Sequence, residues 1–412
     1  MALNLIWAGF FLVAFLVALY KAFLAPGADP GIFNVIVDTL FDRAKTGFEL
    51  SLFLTGVLAF WMGVMKIGER SGVIEFLAKL ISPLFTRLFP EVPKGHPAVG
   101  AMMMNFSANM LGLDNAATPL GLKAMDELQS LNPHKDRASD AQIMFLVLNT
   151  SGLTLIPVSI LALRAASGAH NPADVFVPIL IATAISTLVG LLVTAMIQRI
   201  NIFHPVVLAY LVPAGLFIVW FGMKMSQLPP DRLQATSSLI SSLILFGVIV
   251  FFVAWGLIKK INVYEAFIDG AKEGFGVAVK IIPYLVAMLT AIGVFTASGA
   301  MDYVLEFFRV FFGALHMDTR FVDALPTAFL KPLTGGGARA AMVESWKEFG
   351  VDSFVGRLTS IMQGSTETTF YVLAVYFGSV GVKRVRYAVW VGLIADLAGI
   401  VAAVSIAYAM FG

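Results

Sequence analysis

Long apolar runs separated by short polar loops fill the chain from end to end. A helix needs about 20 apolar residues to cross the hydrocarbon core of a bilayer. The cleaner candidates are Leu5–Leu24, Leu50–Met65, Val175–Ile197, Pro205–Phe221, Leu239–Ile258, Val279–Phe295 and Ala388–Phe411. Between them lie runs that are apolar but interrupted: Gly72–Phe89, Pro97–Leu128, Ala141–Leu163, Met301–Leu315, Ala324–Phe349 and Leu358–Phe377. The polar stretches Gln129–Asp140, Ala165–Asp174, Ser226–Leu233 and Phe349–Arg357 are too short for a soluble domain. The pattern predicts an all-α polytopic membrane protein. Leu5–Leu24 has no Lys or Arg before it, so it reads as a retained helix rather than a cleaved signal.

The interrupted runs also repeat. Phe41-Asp42-Arg43-Ala44-Lys45-Thr46-Gly47-Phe48 recurs as Ile268-Asp269-Gly270-Ala271-Lys272-Glu273-Gly274-Phe275. At the same spacing Arg70-Ser71-Gly72 meets Ala297-Ser298-Gly299, and Glu75 and Asp302 follow in the next apolar segments. Further on, Asn149-Thr150-Ser151 meets Gln363-Gly364-Ser365, and Thr154 falls opposite Thr368. An ordered series of matches argues for two related halves rather than the general self-likeness of apolar sequence. Residues 1–200 form the first repeat, 201–235 a linking helix and loop, and 236–412 the second.

Charge orients them. Lys259-Lys260 and Lys383-Arg384-Arg386 mark cytoplasmic ends, and counting back through two helices puts Arg199 on the same side. The extra helix Pro205–Phe221 then flips the second repeat, so the repeats are inverted. Arg43 and Lys45 fall on the outer side, against the rule. Ile36–Phe48 and Glu265–Phe275 read as amphipathic segments lying along the membrane surface.

Composition narrows the function. Hydrophobic residues make up 58% of the chain and charged ones 13%, at a mean hydropathy of +0.86, against roughly 25% charged in soluble proteins. A net charge of +2, with basic residues in short loops, does not suggest nucleic acid as a partner. The chain has no Cys, and its five His residues show no ligand spacing, so no metal site is expected. No GxxxxGK[ST] motif is present, so any transport would draw on a proton or sodium gradient; no other cofactor is expected.

The interruptions carry the candidate chemistry. A break in an apolar helix leaves backbone groups without partners, which is tolerated only against protein or a wet cavity. Pro97–Leu128 breaks at Gly112-Leu113-Asp114-Asn115, with Asn105 and Asn109 one turn apart nearby. The two amides either tie helices together or face a ligand, whereas Asp114 is a carboxylate at membrane depth. The counterpart is Leu333-Thr334-Gly335-Gly336-Gly337-Ala338-Arg339, where glycines let the backbone approach a ligand. The helix starting near Ala338 would aim its positive end at the same place, and Arg339 adds a cation. The plain alternative is a hinge, with Arg339 paired to Glu344 or Asp352. A second pair of broken runs carries Asn149, Thr150 and Ser151, and then Gln363, Ser365, Thr366, Glu367 and Thr368. Glu367 is the first choice for a substrate or coupling-ion ligand; an ion pair with Arg339 is its structural alternative. Matched breaks in two halves point to a transport site at mid-membrane. Met102-Met103-Met104 reads as packing, and Asp396 as a partner for a neighbouring helix.

The stretch from Met104 to Met125 resembles the hallmark of spore maturation protein A. Gly335 to Met342 and Ile361 to Tyr371 resemble spore maturation protein B, so the chain looks like a fusion of the two. These proteins belong to the nucleoside recognition, or Gate, group, which is similar to concentrative nucleoside transporters with paired substrate hairpins. The resemblance implies two Gate-type repeats with broken or re-entrant helices in the bacterial cytoplasmic membrane. The expected function is secondary transport of a small polar solute such as a nucleoside, amino acid, dipeptide or wall fragment, with an anionic group suited to Arg339 and the Gly335–Gly337 amides. The expected partners are the bilayer, the solute and, as an option, further copies of the chain. The alternatives are a membrane scaffold for spore or wall maturation and an intramembrane enzyme using Asp114 and Glu367.

Overall fold

The computed structural model describes residues 2–25, 28–93, 95–110, 114–226 and 230–412. Among them the chain is helical, without strands. The helices are α1 (Ala2–Phe23), α2 (Ile32–Arg70), α3 (Val73–Leu88), α4 (Pro97–Met110), α5 (Asp114–Leu131), α6 (Asp140–Thr150), α7 (Val158–Ala166), α8 (Phe176–Ile197) and α9 (Pro205–Ser226). The second half continues with α10 (Pro230–Ile258), α11 (Val263–Ala297), α12 (Ala300–Ala314), α13 (Leu325–Leu330), α14 (Gly335–Phe349), α15 (Phe354–Ser365), α16 (Thr369–Ser379) and α17 (Ala388–Phe411). Among the described residues Pro172–Ile197 and Ala388–Phe411 are long and apolar enough to cross a membrane alone. Val286–Ala297 and Ala300–Ala314 qualify together as a pair bent by 70°. Large side chains such as Leu16, Phe246, Phe307 and Leu397 stand exposed, as lipid contact allows.

Ile36–Phe48 and Glu265–Phe275 are not separate surface helices. They are turns of α2 and α11, which run unbroken for 39 and 35 residues. Isolated glycines such as Gly47 and Gly274 weaken a helix without ending it. At 1.5 Å per residue these helices reach about 58 and 52 Å, well beyond a ~30 Å hydrocarbon core. Both end alike. Gly72 (φ 84°) and Gly299 (φ 80°) take the left-handed conformation that glycine adopts without a Cβ clash. The serine before each bonds back into the preceding turn, Ser71 Oγ to Gly68 O at 3.1 Å and Ser298 Oγ to Phe295 O at 2.8 Å. The chain then turns into α3 or α12.

α2 and α11 pack antiparallel along a seam of close approaches. A Cβ on Gly47 would lie 3.0 Å from the Val286 backbone, and one on Gly274 would lie 2.7 Å from Ala59 Cα. Similarly, Gly270 faces Lys66, and Gly293 faces Arg43. These contacts are two-fold mates. The spacing from Gly47 to Gly274 also separates Ala59 from Val286, Arg43 from Gly270, and Lys66 from Gly293. Equivalent helices that meet antiparallel place the two repeats in inverted orientation. Arg70–Asp269 (2.8 Å) and Lys66–Glu273 (3.0 Å) pair the charges at one end of the seam.

The last helices of the halves, α8 and α17, also pack together. Gly190 of α8 admits Ala395, and Gly399 of α17 admits Ser186. Ser186 Oγ donates to Ala395 O at 2.8 Å. Small residues let backbones approach where lipid supplies no hydrophobic drive between helices.

Candidate functional site

Two kinds of interrupted element surround α8 and α17. α4 packs on α5, and α13 on α14, so each pair forms a hairpin; Gly112 and Leu113 of the expected first break lie outside the described residues. α6–α7 and α15–α16 instead cross the same depth as α8. Gln198, at the end of α8, bonds the Asp140 carbonyl where α6 begins (2.7 Å). Asp174, just before α8, pairs with Arg164 near the end of α7 (2.9 Å). α15 starts beside that same pair, since Arg357 Nε donates to Asp174 at 2.7 Å.

The four breaks meet. In the first half the Leu155 N–H donates to Met110 O at the end of α4 (2.7 Å), and in the second the Phe370 N–H donates to Pro332 O (3.0 Å). The Glu367 N–H then joins the halves by donating to Thr150 O at 2.8 Å. Two glycines make the contact close. A Cβ on Gly152 (φ +55°) would lie 2.8 Å from Glu367 Cγ, and one on Gly335 would lie 2.9 Å from Thr368 Oγ1. α15 and α16, of 12 and 11 residues, set this junction about 16–18 Å from either end of the broken span.

The proposed site residues divide into groups. Asn105 and Asn109 tie elements together. Asn109 Nδ2 donates to Asn149 Oδ1 (2.7 Å), and Asn105 Nδ2 donates to Ala117 O (2.8 Å) and Tyr376 Oη (3.3 Å). Thr150 and Ser151 are buried and turn their hydroxyls back to Val147 O and Leu148 O. α8 supports the same break, where Thr183 Oγ1 donates to Gly152 O at 2.7 Å. Gln363 and Thr366 are buried with Oε1 and Oγ1 lacking partners, while Ser365 bonds Met362 O. α5 opens at Asp114; the side chains of Asp114 and Asn115 lie outside the described ones.

α14 begins at Gly335 rather than near Ala338, because Thr334 caps it by accepting from the Gly337 N–H at 3.2 Å. The first N–H groups of a helix have no partner in the helix itself, so Gly335 and Gly336 present theirs toward the junction. Arg339 has a buried, unpartnered Nε. Its candidate partners are engaged elsewhere, Glu344 with Arg43 (2.6 Å) and Asp352 with Arg164 (3.0 Å). Among the described residues, neither Arg339 nor Glu367 forms an ion pair, and the Glu367 side chain is exposed.

Other residues at the junction escaped the sequence reading. Lys331, 3% exposed, ends α13, and only its place inside an apolar run could have marked it. Tyr376 reaches from the second half onto Asn105 and Asn149 of the first. Two clamps hold the ends of the broken spans. One joins Arg164, Asp174, Arg357 and Asp352, with the His170 N–H and Nδ1 on Asp352 at 2.9 and 2.7 Å. Partial burial works against the Asp352 charge, but the His170 bonds and the Arg164 and Arg357 guanidiniums overcome it and lower its pKa. The other joins Asp140 with Arg386 (2.6 Å) and Tyr387 (2.8 Å).

Comparison with known proteins places this arrangement. The Gate model, described as nucleoside recognition, matches residues 52–167 and 278–383, one stretch in each half. Spore maturation protein B of Bacillus subtilis (strain 168) is 46% identical over 158 residues, covering 38% of this chain and 87% of the relative. Spore maturation protein A of the same organism is 38% identical over 183 residues, covering 44% of this chain and 89% of the relative. No solved structure matches. With its two Gate stretches spanning over half of its length and each relative covering a part, the chain belongs to the Gate, or nucleoside recognition, family and has the composition of a fused pair of spore maturation proteins A and B.

Proposed function

We propose that the protein is a multi-pass secondary transporter of the bacterial cytoplasmic membrane. Residues 1–200 and 236–412 form its two repeats, and a small polar solute binds at the junction of their breaks. The observation that carries this reading is Glu367, an exposed carboxylate that forms no ion pair among the described residues and lies about 16–18 Å from either end of its span. In lipid such a charge would cost about 2.5–3.5 kcal/mol or more; facing a wet cavity it costs little. Glu367 accepts hydrogen bonds from solute hydroxyl or amine groups. Arg339 and the Gly335 and Gly336 amides supply donors for an electron-rich or anionic group. Asn149, Thr150 and Ser151 shape the first half's wall, and Asp114 and Asn115 open the neighbouring helix. A proton or sodium gradient supplies the energy.

A melting-temperature screen of the purified protein against nucleosides, amino acids, dipeptides and muropeptides identifies the solute, since ligand binding only the folded state raises its stability. Glu367→Gln should then abolish uptake into proteoliposomes without lowering the melting temperature. Undiminished uptake in that variant sinks the assignment. The word maturation in the relatives' names favours, as a second reading, a membrane scaffold; on that reading Glu367→Gln leaves the cellular phenotype intact.

A further inference from the structure

Asp396 is the single charged residue of α17 and is 1% exposed. Its Oδ2 accepts from Thr369 Oγ1 at 2.6 Å, while Oδ1 is buried without a partner. Thr366, which caps the C-terminal end of α15, also has a buried Oγ1 without a partner. Its methyl group packs where a Cβ on Gly399 would sit. Asp396 and Gly399 are three residues apart and share a helix face. Thr366 and Thr369 bracket Glu367, so Asp396 addresses the same break from behind. Two other charged groups act on it from packed elements, Lys331 at the end of α13 and Glu367 in the break itself.

Asp396 also lines a crevice of about 790 Å³ between α12, α13 and α17. Phe312, Pro332 and Leu397 form part of its apolar wall, and it extends to Asp318, Ser405 and Tyr408. Tyr408 is twelve residues beyond Asp396, about 18 Å along the helix. The crevice therefore runs along α17 from the acid toward the end of the span, walled largely by apolar side chains.

A carboxylate oxygen buried without a donor is costly, and the group relieves that cost by neutralising. The Thr366 hydroxyl can both donate and accept, so a proton on Oδ1 makes the acid the donor and turns Thr366 Oγ1 into its acceptor. A metal ion would need several oxygens arranged around it. We propose that Asp396 is a proton-binding site that controls the break holding Glu367. Its purpose rests on the transport reading; its test does not. On loading, a proton from water bonds to Oδ1, and the new O–H donates to Thr366 Oγ1. On unloading, Oδ1 becomes an acceptor only and the Thr366 hydroxyl turns to donate to it while Thr369 keeps Oδ2, so the hydrogen bonds of the Thr366–Thr369 turn rearrange around Glu367.

Infrared difference spectra of the purified full-length protein across a pH jump test this. Wild type and Glu367→Gln should both show the C=O band of a buried carboxylic acid. Asp396→Asn should lack it, and Thr366→Val should move it to higher frequency, because the acid then has no acceptor. No such band in wild type, an equal band in Asp396→Asn, or its removal by sodium at fixed pH overturns the proposal. If Asp396→Asn does not yield monodisperse protein, Thr366→Val decides, and an unmoved band refutes. Undiminished uptake in Glu367→Gln would refute the transport reading while leaving this band untouched.

Discussion

Arg164 holds one end of both broken spans. Its side chain is 0% exposed, and its guanidinium donates to Val351 O (2.9 Å), Ser360 Oγ (3.2 Å), Asp174 (2.9 Å) and Asp352 (3.0 Å). Replacing it by methionine keeps much of the apolar stem and removes every donor. Asp174, with a side chain 3% exposed, retains Arg357 as its partner. Removing one member of a buried pair costs about 3–5 kcal/mol, and the surviving Arg357 bond puts this case near 3. At about 2 °C per kcal/mol for a chain of this size, the melting temperature of Arg164→Met should fall by about 6 °C. The opposite clamp supplies the control. Arg386 and Asp140 have side chains 26% and 31% exposed, where ion pairs contribute about 0–1 kcal/mol, so Arg386→Met should move the melting temperature by about 2 °C or less. The effect of Arg164→Met should shrink in an Asp174→Asn, Asp352→Asn background, because neighbouring changes do not add. Equal effects of Arg164→Met and Arg386→Met, or full additivity in the triple variant, would refute the reasoning.

Gly270→Leu should prevent assembly of the α2–α11 seam, since its Cβ would lie 2.3 Å from Met62 O, a backbone atom. Gly276→Ala on the same helix meets nothing within 4 Å and should be neutral or stabilising by about 0.5–1 kcal/mol; yield of folded protein and melting temperature check both. The Asp352 pKa is lowered in the folded protein, so its contribution is complete above the ordinary aspartate pKa near 3.9 and is lost as pH falls through the lower folded value. The melting-temperature gap between wild type and Asp352→Asn should therefore be largest near neutral pH and close under acid. A gap that widens as the pH drops would contradict that sign.

Several features were legible in the order of residues alone. The length and spacing of apolar runs announce helices in a membrane, because bilayer thickness and helix rise are fixed quantities. The recurrence of Ser71-Gly72 as Ser298-Gly299 marks a real structural equivalence, because a left-handed turn at that place requires glycine. Polar residues inside apolar runs marked the breaks after Thr150 and between Ser365 and Thr369. But Gly72–Phe89 and Met301–Leu315, read as interrupted, form the unbroken helices α3 and α12, whose charged residues lie along one face without ending the helix. The long helices α2 and α11 were less legible, since amphipathic turns look alike whether they lie on a surface or continue a longer helix.

Which residues face one another was decided by tertiary structure. The three-residue string Asn149-Thr150-Ser151 does not reveal that the Thr150 carbonyl accepts from Glu367 of the other half. Asn105 and Asn109 looked equally able to bind a ligand or to brace helices, and only the packing assigned them to Ala117, Tyr376 and Asn149. Arg164, Asp174 and Asp352 lie in ordinary loop and helix-end positions, and their burial depends on two halves closing over them. The sequence by itself determined that apolar helical elements dominate and that they come in two sets, because those properties follow from periodicity and composition along one dimension. The pairing of breaks, clamps and buried charges belonged to the fold, because burial and hydrogen bonding between distant segments are properties of three-dimensional packing.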